Sequence, residues 1–149
     1  MSTVLPAALL YGKDWYTWSM ENARLLREGK FDQVDLNQIA EELEDMGKSE
    51  KRAIESHLRN LLLHLLKWQC QPGLQGASWR HSIENARMDL ADLFDENPAL
   101  RARFSEFIPK EYRHAKRDAM YETGLPDANF PATCPYHLDQ LLDEAFWPQ

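Results

Sequence analysis

Glycine and cysteine are scarce in this sequence, and basic residues are outnumbered by acidic ones. The 149 residues include six glycines and two cysteines, Cys70 and Cys134. Two cysteines are too few for a disulfide framework, so reduced thiols in a cytoplasmic protein are expected. The sequence has no glycine-rich phosphate loop, no Gly-x-Ser-x-Gly motif, and no serine or cysteine with an evident base. It therefore offers no complete catalytic site.

Long apolar runs and net positive charge are also absent. No run approaches the roughly 18 apolar residues that span a bilayer, and the apolar stretch VLPAALL has no basic residue before it, which makes it a poor signal peptide. The 17 basic and 24 acidic residues give a formal charge of −7, whereas phosphate binding needs a basic surface. We therefore expect a cytoplasmic protein that binds neither membranes nor nucleic acid. Lys110, Arg113 and Arg117 recur at helical spacing, which indicates a solvated helix face rather than a nucleic-acid site.

The sequence does contain helical periodicity from end to end, without the alternation that predicts strands. A first helix follows Asp14, a candidate N-cap, and ends at Gly29. A later helix follows the loop QPGLQGAS, with Ser78 as its cap. Another begins at Pro98 and should kink or restart at Pro109.

The central pattern predicts one long helix, from about Leu36 to Gln69. Asp35 is its candidate cap, and Gln38 is placed to complete a capping box. The apolar stripe keeps its phase across Gly47, which favours a continuous helix. The alternative is two helices that meet at this glycine, with GKSEK as a stop and a new start.

These elements predict an all-α fold, a compact bundle of about four main helices, one of them long, plus a short C-terminal helix. Residues 1–149 are interpreted as a single domain. Within it, residues 1–12 form an N-terminal segment, and the proline-punctuated residues 125–149 form a tail packed on the bundle.

The second half of the long helix is apolar nearly all round, because Leu62, Leu63 and Leu66 lie off the main stripe. Such a helix is either central in its bundle or covered by another subunit. The second interpretation makes these three leucines candidates for the interface of a homodimer.

Several blocks of the chain resemble a known family. EELEDMGKSEKRA, HLLKWQ and ETGLP, together with SWRHSI and LLDEAFWP, are similar to the bacterial domain-of-unknown-function family number 29, which is abundant in cyanobacteria. The resemblance covers about residues 11–148. It implies a compact helical domain in a bacterial cytoplasm and no known activity, so it assigns no catalytic residue. A threonine is expected where this chain has His137, which weakens a role for that histidine.

One set of side chains is a candidate metal site. Glu50, His57 and His64 fall within the apolar stripe of the long helix, and Glu111 and His114 have the Glu-x-x-His spacing of carboxylate-bridged di-metal bundles. Residues seven apart lie about 10 Å apart along a helix, so the two histidines need a second helix to complete a site. The hypothesis is that the five side chains converge across the bundle around a divalent metal.

A structural interpretation of the same residues is favoured. In it, Glu50 pairs with an arginine such as Arg87, and the histidines form hydrogen bonds at the edge of the core. Two functions follow. The first is a non-catalytic interaction module that binds itself or a protein partner, and the alternative is a helical bundle that binds a metal or a small ligand.

Overall fold

The computed structural model describes residues 7–149, apart from the side chain of Ala8. Its α-helices are α1 (Ala7–Leu10), α2 (Trp15–Arg27), α3 (Leu36–Cys70), α4 (Ala77–Glu96), α5 (Pro98–Ala102), α6 (Phe104–Thr123) and α7 (Leu138–Leu142). Short 3₁₀ helices occupy Pro72–Leu74 and Asp127–Asn129. These described residues contain no strand, which confirms the all-α prediction with one long helix and a short C-terminal one. Part of the predicted N-terminal segment, residues 1–6, lies outside the described residues.

The chain forms two compact units, the first ending at Lys48 and the second running from Ser49 to Gln149. The first comprises α1, α2 and the start of α3. The second comprises the rest of α3 and all later elements. The interpretation of the chain as a single domain stays a prediction.

In the first unit, α2 begins and ends where the sequence predicts. The side chain of Asp14 accepts hydrogen bonds from the backbone N–H and the hydroxyl of Thr17, at 3.0 and 2.7 Å. Just beyond the helix, Gly29 has a φ of +75°, a left-handed conformation that glycine adopts without steric cost. Both helix ends therefore follow from local chemistry.

The start of α3 depends on a tertiary contact instead of the predicted capping box. The buried Asn22 of α2 accepts the backbone N–H of Asp35 at 2.9 Å, and Trp18 Nε1 donates to the Asp35 carboxylate at 3.1 Å. Gln38 does not accept a hydrogen bond from the backbone N–H of Asp35, and its Oε1 atom is buried without a hydrogen-bond partner. The capping-box prediction was wrong because a side chain from α2 occupies the position that the local motif would fill.

Helix α3 is continuous through Gly47, as the unbroken apolar phase predicts. A Cβ atom built on this glycine would meet nothing within 4 Å. Its cost is therefore the conformational freedom of glycine, about 1 kcal/mol relative to alanine.

The second unit has a closed apolar core around the leucine-rich half of α3. Leu62 and Leu66 are fully buried within the chain, and the partly buried Leu63 packs against the same core. Their neighbours in the core include Ile83 and Leu90 of α4. Of the two interpretations of this all-round apolar helix, the structure shows the central one, so burial of these leucines needs no second subunit.

Two helix boundaries differ from the sequence prediction. Helix α4 begins at Ala77 after Gly76, so Ser78 lies inside the helix and is not its cap. Helix α6 runs through Pro109, and the break lies earlier, at Arg103. Proline removes only the hydrogen bond to the carbonyl of Ser105, in the exposed first turn of α6, where water can hydrate that carbonyl.

Candidate functional site

The predicted Glu/His cluster is divided among separate contacts, beginning with Glu111. This carboxylate is fully buried, and Arg59 of α3 donates to both of its oxygens, from Nε and Nη2, at 3.2 Å each. The hydrogen bond to Glu111 raises the pKa of Arg59. Glu111 is therefore half of a two-point ion pair between α3 and α6, with its charge compensated inside the protein.

Glu50 has a different partner from the one that the sequence suggested. It accepts a hydrogen bond from Asn97 Nδ2 at 2.9 Å, at the end of α4. Arg87 instead donates to the backbone carbonyls of Leu141 and Gln140, at 3.0 and 3.2 Å. The predicted pairing of Glu50 with Arg87 was wrong, because this buried arginine caps the C-terminal end of α7.

The histidines do not join these carboxylates. His57 Nδ1 lies 3.6 Å from Asp89 Oδ2, and His64 Nδ1 lies 2.8 Å from the carbonyl oxygen of Asn60 in its own helix. His114 lies partly buried on α6. Within residues 7–149, no group of three or more His, Cys, Asp or Glu side chains is placed to hold a metal ion. The five predicted ligands are therefore not brought together.

The most unusual surface of the described chain belongs to the first unit. Twelve large apolar side chains are exposed among the described residues, and nine of them fall between Leu9 and Met46. These nine are Leu9, Trp15, Tyr16, Met20, Leu26, Phe31, Leu36, Leu43 and Met46. Isolated exposed apolar residues are ordinary, so it is their concentration in this part of the chain that makes it a candidate site.

Three aromatic rings of the first unit lie in contact with one another. The ring centroids of Tyr11, Trp15 and Trp18 lie 5.3 to 5.5 Å from one another. Trp18 is buried beneath the cluster, whereas Trp15 is 55% exposed. We call these three residues the aromatic patch. Trp15 is exposed although it shares a face of α2 with the buried Trp18.

Carboxylates from α3 adjoin the aromatic patch. The hydroxyl of Tyr11 donates to Glu42 Oε1 at 2.7 Å. This hydrogen bond, followed by desolvation and by the charges of Glu42, Glu41 and Asp45, raises the pKa of Tyr11 to about 12. The patch is thus an aromatic surface in a negative field.

The exposed side of α3 adds an apolar stripe that borders Glu42, which follows Ile39 by three residues and precedes Met46 by four. Leu36, Leu43 and Met46 are exposed and Ile39 is half-buried, with successive spacings of three, four and three residues. That spacing is the one by which a helix packs along another helix. We call these four residues the α3 stripe.

The comparison with known families settles what the sequence blocks suggested. A family model described as "Domain of unknown function DUF29" matches residues 10–147. The chain belongs to this family. A search of the curated proteins found no match, and neither did a search of the solved structures. In the described part of this DUF29 chain, no helix is both long and apolar enough to cross a bilayer.

Proposed function

We propose that this DUF29 protein is a non-catalytic interaction module whose first unit binds a basic amphipathic helix of a partner protein. The observation that carries the proposal is the concentration of exposed apolar side chains in residues 9–46. A monomeric protein gains nothing in stability by exposing such a surface, whereas a partner that covers it gains the free energy of apolar burial.

The acidic side chains around the exposed apolar residues of the first unit indicate that a partner would be basic. Residues 36–47 of α3 contain four acidic side chains and no basic one. Exposed Trp15 presents an aromatic face to which an arginine or lysine binds through a cation–π interaction. A partner with basic residues beside an apolar row complements both features.

The geometry favours a helical partner over a second copy of this chain. The α3 stripe has coiled-coil spacing, so a partner helix can pack its own apolar row against it. In a symmetric dimer the same patch would meet itself, and Glu42, which borders it, would lie near its own copy and repel it. A homodimer is thus the competing occupant that an experiment must test.

The experiment is isothermal titration calorimetry with an amphipathic Leu/Lys peptide of about 18 residues, long enough to form a helix on the surface. A Leu/Glu peptide of the same pattern is the charge control. We expect binding of the basic peptide only. Trp15→Ala should weaken it about thirtyfold, because a central tryptophan in an interface contributes about 2 kcal/mol. Tyr121→Ala, which removes a more exposed aromatic side chain from the second unit, is the control.

Three results would contradict the proposal. They are equal binding of the acidic peptide, unchanged affinity of Trp15→Ala, and a dimer in light scattering that dissociates when Leu43 is replaced by aspartate. The last result would assign the α3 stripe to a second copy.

We also infer that the protein works in a bacterial cytoplasm. Cys70 and Cys134 are free thiols, and burial raises the pKa of both, so they are protonated at neutral pH. Free thiols agree with a reducing compartment. Locating a tagged protein by cell fractionation tests this inference.

A further inference from the structure

The second unit contains a cavity that none of the features above uses. Helix α6 and the chain from Asp127 to Cys134 line a partly open cavity of about 570 Å³, within the range of small-molecule sites. Ile108, Tyr112 and Met120 contribute apolar surface from one side of α6.

The cavity wall opposite α6 is held in place by a partly buried hydrogen bond. The Tyr112 hydroxyl donates to the carbonyl of Pro131 at 2.5 Å. Burial raises the pKa of Tyr112 to about 12 and also raises the pKa of the Cys134 thiol. Both groups are therefore uncharged at neutral pH, and this part of the wall suits an apolar ligand.

Positive charge lines the same cavity. Arg113, Lys116 and Arg117 all contribute to its lining, and their spacing of three and four residues places them side by side on α6. Lys116 Nζ lies 2.9 Å from Asp127 Oδ1, so its charge is already compensated. Arg113 and Arg117 differ from Lys116 because, within residues 7–149, neither has a carboxylate oxygen at hydrogen-bonding distance.

Neither arginine donates a hydrogen bond to a carboxylate among the described residues. Arg113 is exposed and forms no ion pair within the part of the chain that the structure describes. Arg117 is 71% exposed, and its Nε atom lies 3.6 Å from Asp118 Oδ1, which is too long for a hydrogen bond. Two guanidinium groups remain available to an anion.

We propose that this cavity binds a small organic anion with an apolar body, such as a medium-chain carboxylate. The apolar body lies against Ile108, Tyr112 and Met120. The anionic head accepts hydrogen bonds from Arg113 and Arg117, since a guanidinium group donates to a carboxylate at two points. This site lies in the second unit and is independent of the protein-binding surface proposed for the first.

The first test is an NMR titration of ¹⁵N-labelled full-length protein with octanoate, with 1-octanol as the neutral control of equal chain length. Octanoate should shift the amide signals of α6 around Arg113 and Arg117 and those of Thr133 and Cys134. Octanol should bind at least tenfold more weakly. Shifts centred on residues 9–46, scattered shifts, or equal binding of octanol would overturn the proposal.

The second test replaces the basic side chains that line the cavity with glutamine. Arg113→Gln together with Arg117→Gln should weaken octanoate binding at least tenfold, whereas Lys116→Gln should change it less than threefold, because Asp127 already neutralises that lysine. Arg103→Gln removes an exposed charge from the start of α6, outside the cavity lining, and should leave the affinity unchanged. Because both arginines are exposed, the double variant should keep the wild-type circular dichroism spectrum. Unchanged octanoate affinity in that folded variant would overturn the assignment.

Discussion

The two units of this chain differ in the proportion of their apolar residues that is buried. In the described part of the first unit, four apolar residues are buried and nine large ones are exposed. In the second unit, nineteen are buried in one cluster, and three large ones are exposed. A short piece of chain has too little volume to enclose its own apolar surface. The difference teaches that the second unit is built around a core, whereas the first leaves much of its apolar surface exposed.

The largest expected effect compares two leucines on the same helix. Leu62→Ala should lower the free energy of unfolding by about 4 kcal/mol, because it leaves a cavity in a closed core. Leu43→Ala, at an exposed position of α3, should cost less than about 0.5 kcal/mol. Chemical denaturation followed by circular dichroism measures both values.

A large cost at Leu43 would break the comparison, because it would mean that the stripe of the first unit is already covered within the free protein. A small cost at Leu62 would mean that the second core is loosely packed.

The next effect concerns the buried ion pair of the second unit. Arg59→Gln should cost about 3 kcal/mol, because it leaves the fully buried Glu111 without a compensating charge. Arg103→Gln breaks an ion pair exposed on both sides and should cost less than about 1 kcal/mol. The same denaturation experiment measures both.

Adding Glu111→Gln to the Arg59→Gln variant should recover part of the lost stability, since the uncompensated charge is then gone. If the double variant is no more stable than Arg59→Gln alone, the cost came from lost packing of the arginine and not from the charge.

The smallest effect tests the helix that contributes to both units. Gly47→Ala should raise stability by about 1 kcal/mol, because alanine favours the helix and its Cβ meets no neighbour. Gly124→Ala should have the opposite sign, since Gly124 has a φ of +72° at the end of α6. Thermal unfolding of both variants checks the two signs, and a loss of stability at position 47 would show that α3 is not a regular helix there.

Much of the secondary structure was predictable because helix formation depends on local pattern. The phase of the apolar stripe across Gly47 predicted one helix where a glycine suggests two. Asp14 and Gly29 marked the ends of α2 because each satisfies a local requirement of the backbone. The cap predicted at Ser78 was wrong, because several helix starts satisfy the local rules equally well there. At Pro109 the helix does not restart, which excludes one of the two predicted outcomes.

The candidate sites were much less predictable, because they depend on which helix faces are covered. Trp15 and Trp18 share one face of α2, yet only Trp18 is buried. The number of apolar residues in a short segment was the one signal that could have revealed the exposed surface. The cavity beside α6 gave no signal in sequence, because the chain after Gly124 had no predicted position relative to Arg113 and Arg117.

The sequence by itself determined the family, the all-helical fold and the continuity of α3, since these follow from residue blocks and from periodicity along one helix. Tertiary structure alone decided the partners of the charged and apolar groups. Glu111 pairs with Arg59, which lies 52 residues earlier in the chain, and Leu62 lies in a core and not at an interface. Periodicity states which residues share a face, but only packing decides whether protein or solvent covers that face.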